Sequence, residues 1–168
     1  MKALQTLGRI TALGFAAVGC QSALAGCDFS PGRFQQKGSE VVDSKTGITW
    51  QRCAVGQHWN QKLSRCEGQG KQPNWVNAQR LATKPWRLPT ANELKGLIQP
   101  GCESPAVDPK AFPITDDYLA SWSSELTVNQ TNAIAVSLSG GRYYEISKNE
   151  ADTTRYAHFH VHLIKTTK

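Results

Sequence analysis

Four cysteines, Cys27, Cys53, Cys66 and Cys102, follow a segment that reads as an export leader, and together they constrain the fold more than any other feature. Lys2 and Arg9 give a positive start, Ile10 to Val18 an apolar stretch, and Ala23-Leu24-Ala25 a small-x-small cleavage site. A signal peptide over residues 1–25 and a single exported domain over residues 26–168 are expected. In an oxidising compartment an even number of cysteines reads as a disulfide framework, and four allow three pairings. Cys53 and Cys66 flank a polar loop containing Gly56, Asn60 and Ser64. Bridging them closes a ring of about 14 residues, worth about 3 kcal/mol in the loop-entropy account. Cys27 then pairs with Cys102, tying the new N-terminus to the middle of the domain. A zinc site is the rival reading, but the chain has no C-x-x-C spacing.

The leader admits two other cuts. Leu24-Ala25-Gly26-Cys27 reads as a lipobox and Ala17-Val18-Gly19-Cys20 as a poorer one, and either would tether the protein to a membrane by a lipid. Lipidating Cys27 would strand one thiol, whereas lipidating Cys20 would keep all four partners. Soluble export to the periplasm or cell surface is the first expectation, and a lipoprotein the alternative.

A chain of 168 residues suits one domain. Its 39% apolar and 19% charged residues exclude a disordered chain. The formal +6 falls by two charges when Lys2 and Arg9 leave with the leader. That is mildly basic, without the dense run of a nucleic-acid binder, so no nucleic acid is expected. No apolar run reaches the ~20 residues of a membrane-spanning helix.

Val41-Val42, Asp43 to Gly47 and Ile48 to Gln51 read as strand, turn, strand, with Gly47 free to take positive φ. Trp75, Ala78, Leu81 and Ala82 recur at helical spacing behind Asn74, an N-cap residue. Thr90-Ala91-Asn92-Glu93 is a capping box for a second helix that buries Leu94, Leu97 and Ile98 and stops at Pro100-Gly101. Ala133 to Leu138, a Gly140-Gly141 turn and Arg142 to Ile146 predict a hairpin, and Tyr156 to Ile164 alternates as a final strand. Two early helices and strands at both ends indicate an α+β fold whose antiparallel sheet joins the termini.

These strings also form an ordered series. Thr46-Gly47-Ile48-Thr49-Trp50-Gln51-Arg52-Cys53 precedes Gly56-Gln57, Cys66, Trp75 with Ala78, and Trp86-Arg87-Leu88-Pro89. Glu93-Leu94, Cys102 with Pro105-Ala106-Val107-Asp108, Phe112-Pro113, Trp122-Ser123-Ser124 and Val161-His162-Leu163-Ile164-Lys165 complete it. From about residue 33 to 165 the chain resembles the bacterial Lcl C-terminal domain family, named for the terminal domain of a collagen-like adhesin. It departs from the family's usual pattern at Ile48-Thr49, at Ser121 before Trp122, and at His162 and Lys165. The resemblance implies a C-type-lectin-like fold: two short helices with a looped antiparallel sheet and paired N- and C-terminal strands. It also implies binding rather than catalysis, on the precedent of an adhesin for sulphated glycosaminoglycans.

Candidate sites divide by chemistry. Trp86-Arg87-Leu88-Pro89-Thr90 has a counterpart in formylglycine-generating enzymes, but the reactive cysteine pair of those enzymes is missing. A structural reading buries Trp86 and Leu88, ion-pairs Arg87 and starts a helix at Pro89-Thr90. Trp50 and Trp122 read as core. His158, His160 and His162 would share one face of the final strand, with Phe159, Val161 and Leu163 on the other. Three imidazoles suit Zn²⁺ or Cu²⁺, with His58 or Glu145 completing the set, but a flat strand spaces them about 6.6 Å apart. Exposed polar strand positions are the preferred reading. A calcium-type sugar site is not expected, because Trp122-Ser123-Ser124 lacks the acids such a site needs and Asp116, Asp117 and Glu125 make no close cage. No nucleophile triad or phosphate loop is present, so neither an enzyme nor a cofactor is expected.

A basic, aromatic surface remains. Lys62, Arg65 and Lys71 fall in or beside the stapled loop, and Arg142, Tyr143, Tyr144, Lys148 and Arg155 in the last hairpin and its loop. Arginine forks suit sulphates and carboxylates, and aromatic faces suit sugar rings. The expected function is an adhesin-like domain for an anionic or sulphated polysaccharide such as a glycosaminoglycan. The alternative is an envelope protein-interaction module: an appendage subunit or an inhibitor of an exported enzyme.

Overall fold

The computed structural model describes residues 27–114, 119–149 and 158–165. In chain order the strands are β1 (Phe34–Lys37), β2 (Glu40–Asp43), β3 (Thr49–Gln51), β4 (His58–Asn60) and β5 (Arg65–Glu67). Helix α1 (Trp75–Leu81), β6 (Trp86–Arg87) and α2 (Ala91–Leu97) follow. Strands β7 (Leu119–Leu126), β8 (Asn132–Ser137), β9 (Tyr143–Ser147), β10 (His158–His160) and β11 (Ile164–Lys165) complete the order.

The turn between β2 and β3 shows how local chemistry starts the fold. The Asp43 carboxylate accepts from the Lys45 amide at 3.0 Å and from the Thr46 hydroxyl at 3.1 Å. Gly47 closes the turn at φ +74°, a conformation that costs a side chain-bearing residue energy. Asp43 is buried and would be costly there unpaired, but Arg33 grips it at 3.0 and 2.7 Å. The turn thereby sets the register of β2 on β3, with Val41 opposite Trp50.

Two larger sheets result, in the orders β1-β2-β3-β11-β6 and β10-β7-β8-β9, with β4-β5 apart as a small ribbon. The expected pairing of the chain's two ends occurs in the first sheet, where β11 enters between β3 and β6. The second sheet is antiparallel except for β10, which runs parallel to β7. The single final strand expected from Tyr156 to Ile164 is two strands. Its first two residues lie outside the described residues, and residues 161–163 form an irregular crossing between the sheets. Val55 and Gln51 donate their amides to the Val161 and Leu163 carbonyls at 2.8 Å each, while the His162 amide donates to Ser121 Oγ at 3.3 Å. Protein covers this crossing on both sides, and every residue from Phe159 to Ile164 is buried.

The helices are capped as expected. Asn74 accepts from the Asn77 amide, and Thr90 and Glu93 form a reciprocal capping box. Helix α2 ends at Leu97, before the Pro100-Gly101 stop. It buries Leu94 and Leu97 in a core with Val41, Trp50, Phe112, Val136 and Ile164. A second core gathers Ala78, Leu88, Trp122, Ala135, Phe159 and Val161. Both disulfides form as proposed. Cys27–Cys102 and Cys53–Cys66 have Cα separations of 5.4 and 5.5 Å, inside the usual range of roughly 4.4–6.8 Å.

Candidate functional site

The Trp86 to Thr90 segment is committed to structure. Arg87 clamps both oxygens of Glu93 at 2.8 and 2.6 Å, and one of those oxygens also accepts the Thr90 amide at 2.7 Å. Burial raises the Glu93 carboxyl, but Arg87 and Thr90 outweigh it and hold the pKa below the usual range. Leu88 is buried as expected. Trp86 is not: β6 is the edge of its sheet, and the indole remains half-buried. Trp50 and Trp122 are core, as expected.

The histidines overturn the expectation of exposed polar positions. His160 and His162 are 7% and 3% exposed, because the crossing leaves no solvent face for alternate residues to take. The side chain of His158 lies outside the described residues. Burial, then the proximity of His160, pushes His162 down to about 3, so it is a neutral imidazole at physiological pH. His160 Nε2 lies 3.3 Å from the Gln72 amide nitrogen, and Gly70 packs so close to its ring that a Cβ there would come 2.6 Å from Cε1. Both histidines line a cavity of about 220 Å³ with Arg52, Gln57 and Gln72. Arg52 is spent there: it donates to the carbonyls of Ala111, Gly38 and Lys110 and stacks 3.6 Å from the Trp59 ring centre. Among the described residues no three His, Cys, Asp or Glu side chains are grouped to hold a metal ion. His58 lies 3.8 Å from Glu67, and Glu145 is exposed on β9. Glu125 accepts the Ala91 amide at 2.9 Å, while Asp116 and Asp117 lie outside the described residues.

The basic and aromatic candidates fall at several places. Lys62 is exposed in the β4–β5 turn, and Arg65 is held by Glu67 at 2.7 Å. Lys71 is exposed beyond β5, its amide bonded to the Val55 carbonyl. Arg142 and Tyr143 stand exposed where β8 turns into β9. Tyr144, the next residue, points the other way and meets Phe159 edge-on at 5.6 Å, so it is half-buried against the core. Lys148 follows the far end of β9, and Arg155 lies outside the described residues.

One contributor was missed by sequence reasoning. Lys95, on the outer face of α2, donates to the Gly141 carbonyl at 2.8 Å and sits 4.9 Å from the Tyr143 ring centre. Lys95 and Tyr143 therefore form one corner, a cation on an aromatic face, with the exposed Arg142 preceding Tyr143 in the chain. Nothing local in the sequence signals it, since 46 residues separate Lys95 from Gly141.

No curated protein and no solved structure matches the chain. Residues 39–158 match the model of the Lcl C-terminal domain family, which covers the β2–β3 turn, both helices, the Cys53–Cys66 loop and the second sheet as far as β10. The chain belongs to the Lcl C-terminal domain family, a family of adhesin-like, non-catalytic domains of surface and secreted proteins with a C-type-lectin-like character.

Proposed function

We propose that this protein is an exported adhesin-like domain whose ligand is an anionic or sulphated polysaccharide. The observation that carries the reading is the corner made by Lys95, Arg142 and Tyr143. Among the described residues neither Lys95 nor Arg142 is in an ion pair, and Tyr143, which Lys95 approaches, is 47% exposed. Sulphate or carboxylate groups would meet the cations while a sugar ring lies on the tyrosine. Lys62, Arg65, Lys71, Lys148 and Arg155 would extend the contact along a longer chain, and Tyr144 would hold Tyr143 in place from the core side. Residues 1–25 would direct export, with release after Ala25 or lipidation at Cys20 as the outcomes compatible with the Cys27–Cys102 bridge; an intact mass from the native host separates these and would expose a lipid on Cys27.

The test is a glycan array that includes sulphated glycosaminoglycans, read with and without EDTA and over a salt series. Binding that survives EDTA, weakens with salt and drops in Arg142→Glu and Lys95→Glu supports the reading. EDTA-sensitive binding would return attention to the histidines. Absence of glycan binding would overturn the proposal in favour of a protein partner.

A further inference from the structure

The five tryptophans divide into two groups. Trp50 and Trp122 are core, and Trp75, which like Trp86 packs against the second core, donates its indole N–H to the Ser123 carbonyl at 2.8 Å. Trp59 and Trp86 are half-buried, and both line a groove of about 520 Å³ between the β4–β5 hairpin and β6. That volume falls within the roughly 300–1,000 Å³ of small-ligand sites. Arg52 covers a face of Trp59 at 3.6 Å from the ring centre, which fixes the indole against rotation.

The rest of the wall mixes apolar Val55, Leu81 and Leu163 with polar side chains, three of them uncommitted. Among the described residues, the side chains of Ser39, Gln51 and Thr83 line the groove and make no hydrogen bond to the protein. Hydroxyls and amides both donate and accept, and so do the hydroxyls of a sugar. The groove's carboxylate, Glu40, is already bound to Lys165 at 2.7 Å, so the groove offers no free cation for a sulphate and a carboxylate that would repel one. Arg52 lies over one face of Trp59 and Lys165 over one face of Trp86, so each indole has its other face for a ligand. Those faces with neutral donor–acceptor groups match the apolar face and the hydroxyl rim of an uncharged pyranose.

We propose that this groove is a subsite for an uncharged pyranose unit, separate in place and chemistry from the charged corner. The proposal rests on the reading of the chain as a glycan binder, and adds a salt-insensitive contact to it. A glycan engaging both surfaces would gain affinity from the second contact without a second molecule.

The experiment is a titration of the ¹⁵N-labelled protein with neutral oligosaccharides built from glucose, galactose, mannose and their N-acetylated forms, followed at the indole N–H resonances. The expected result is movement of the Trp59 and Trp86 signals with those of Trp50 and Trp122 still, unchanged by salt and retained in Arg142→Glu. Trp59→Ala should weaken binding roughly tenfold, the scale of truncating a contact aromatic. The wild-type resonances decide the question even if that variant folds poorly. Still signals from Trp59 and Trp86 would overturn the subsite, and salt-sensitive binding of sulphated polymers would then leave the charged-corner reading standing. Binding to neither kind of glycan would overturn both.

Discussion

The two hairpins, β4–β5 and β8–β9, are built by different physics. In β8–β9 the residues Ala133, Ala135 and Val136 are fully buried, and Tyr144 and Ile146 pack against the second core. Its shape follows from apolar alternation against a core that would collapse around it anyway. In β4–β5 the single buried residue is Cys66, which is bonded to Cys53. Its other ties are the buried Arg52 stacked 3.6 Å from the Trp59 ring centre and two surface contacts, Arg65 to Glu67 at 2.7 Å and Asn60 to Glu67 at 2.8 Å, of small net worth. One hairpin is held by what it buries and the other by a covalent link. The charged corner sits on the first and a wall of the tryptophan groove on the second, so the two proposed contacts should fail under different insults.

The largest expected effect breaks the packed side. Trp122 is fully buried, stacks on Phe159 at 4.7 Å and donates its indole N–H to the Pro73 carbonyl at 2.9 Å. Trp122→Ala should cost about 3–5 kcal/mol, by loss of buried area and by the cavity left behind. Chemical denaturation measures it, and a loss below about 1 kcal/mol would show that the second core does not hold this hairpin.

Removing the link attacks the other side. Cys53→Ser with Cys66→Ser should cost about 3 kcal/mol. The distribution is more telling than the total. Hydrogen exchange should show β4–β5 amides nearly unprotected, while β8–β9 amides fall only by the global decrement. Equal loss in both hairpins would erase the distinction. In the same variant the charged corner should still bind sulphated polymers.

His162 lies where the two regions meet, its amide on Ser121 of β7 and its ring in the cavity shared with Gln57 and Gln72. Its native pKa is depressed to about 3, so the unfolded chain binds the extra proton as pH drops below its ordinary value. Native stability is therefore full above about pH 6.5 and falls by about 1.4 kcal/mol per unit below it, roughly 2 kcal/mol by pH 5. Asp43 and Glu93, carboxylates with depressed pKa values, lose their contribution only as pH falls through the lower carboxylate range, so the windows separate. Denaturation at pH 7 and pH 5 should show the slope in the wild type and flatten it in His162→Gln. An unchanged slope would mean that His162 is not the proton-linked group.

What the sequence discloses follows the same division. The Asp43 to Gly47 turn, the Asn74 and Thr90 caps and the Cys53–Cys66 loop were legible because each depends on residues no more than 13 positions apart. The crossing at residues 161–163 was not. Alternation was read as one wet face and one dry face, but β10 leaves β7 in parallel and the chain is covered on both sides before β11. Strand β7 hid its burial behind serines. Ser123 donates to the Ile134 carbonyl at 2.8 Å and accepts the Glu125 amide at 3.1 Å, which satisfies it in the interior. The site was half legible. Arg142 and Tyr143 are exposed as expected, whereas Lys95 beside them and Trp59 with Trp86 in one groove are long-range meetings.

The smallest effect supplies a standard for the others. Thr90 caps α2, which packs on β7 and β8 and lies far in sequence from the stapled loop. Thr90→Ala removes the hydroxyl that accepts the Glu93 amide at 3.1 Å, yet the Glu93 carboxylate can still take the residue-90 amide and keep Arg87. Half of the box survives, so the loss should be about 1 kcal/mol rather than the upper value near 2 kcal/mol. Because α2 buries Leu94 and Leu97 in the first core, that loss should be global and lower protection in β8–β9 directly. The β4–β5 amides, whose opening is limited by the Cys53–Cys66 link and not by α2, should keep their wild-type exchange. Hydrogen exchange on this one variant thus asks whether the covalent hairpin opens independently of the packed one, and exchange accelerated equally in both would mean that they open as a single unit.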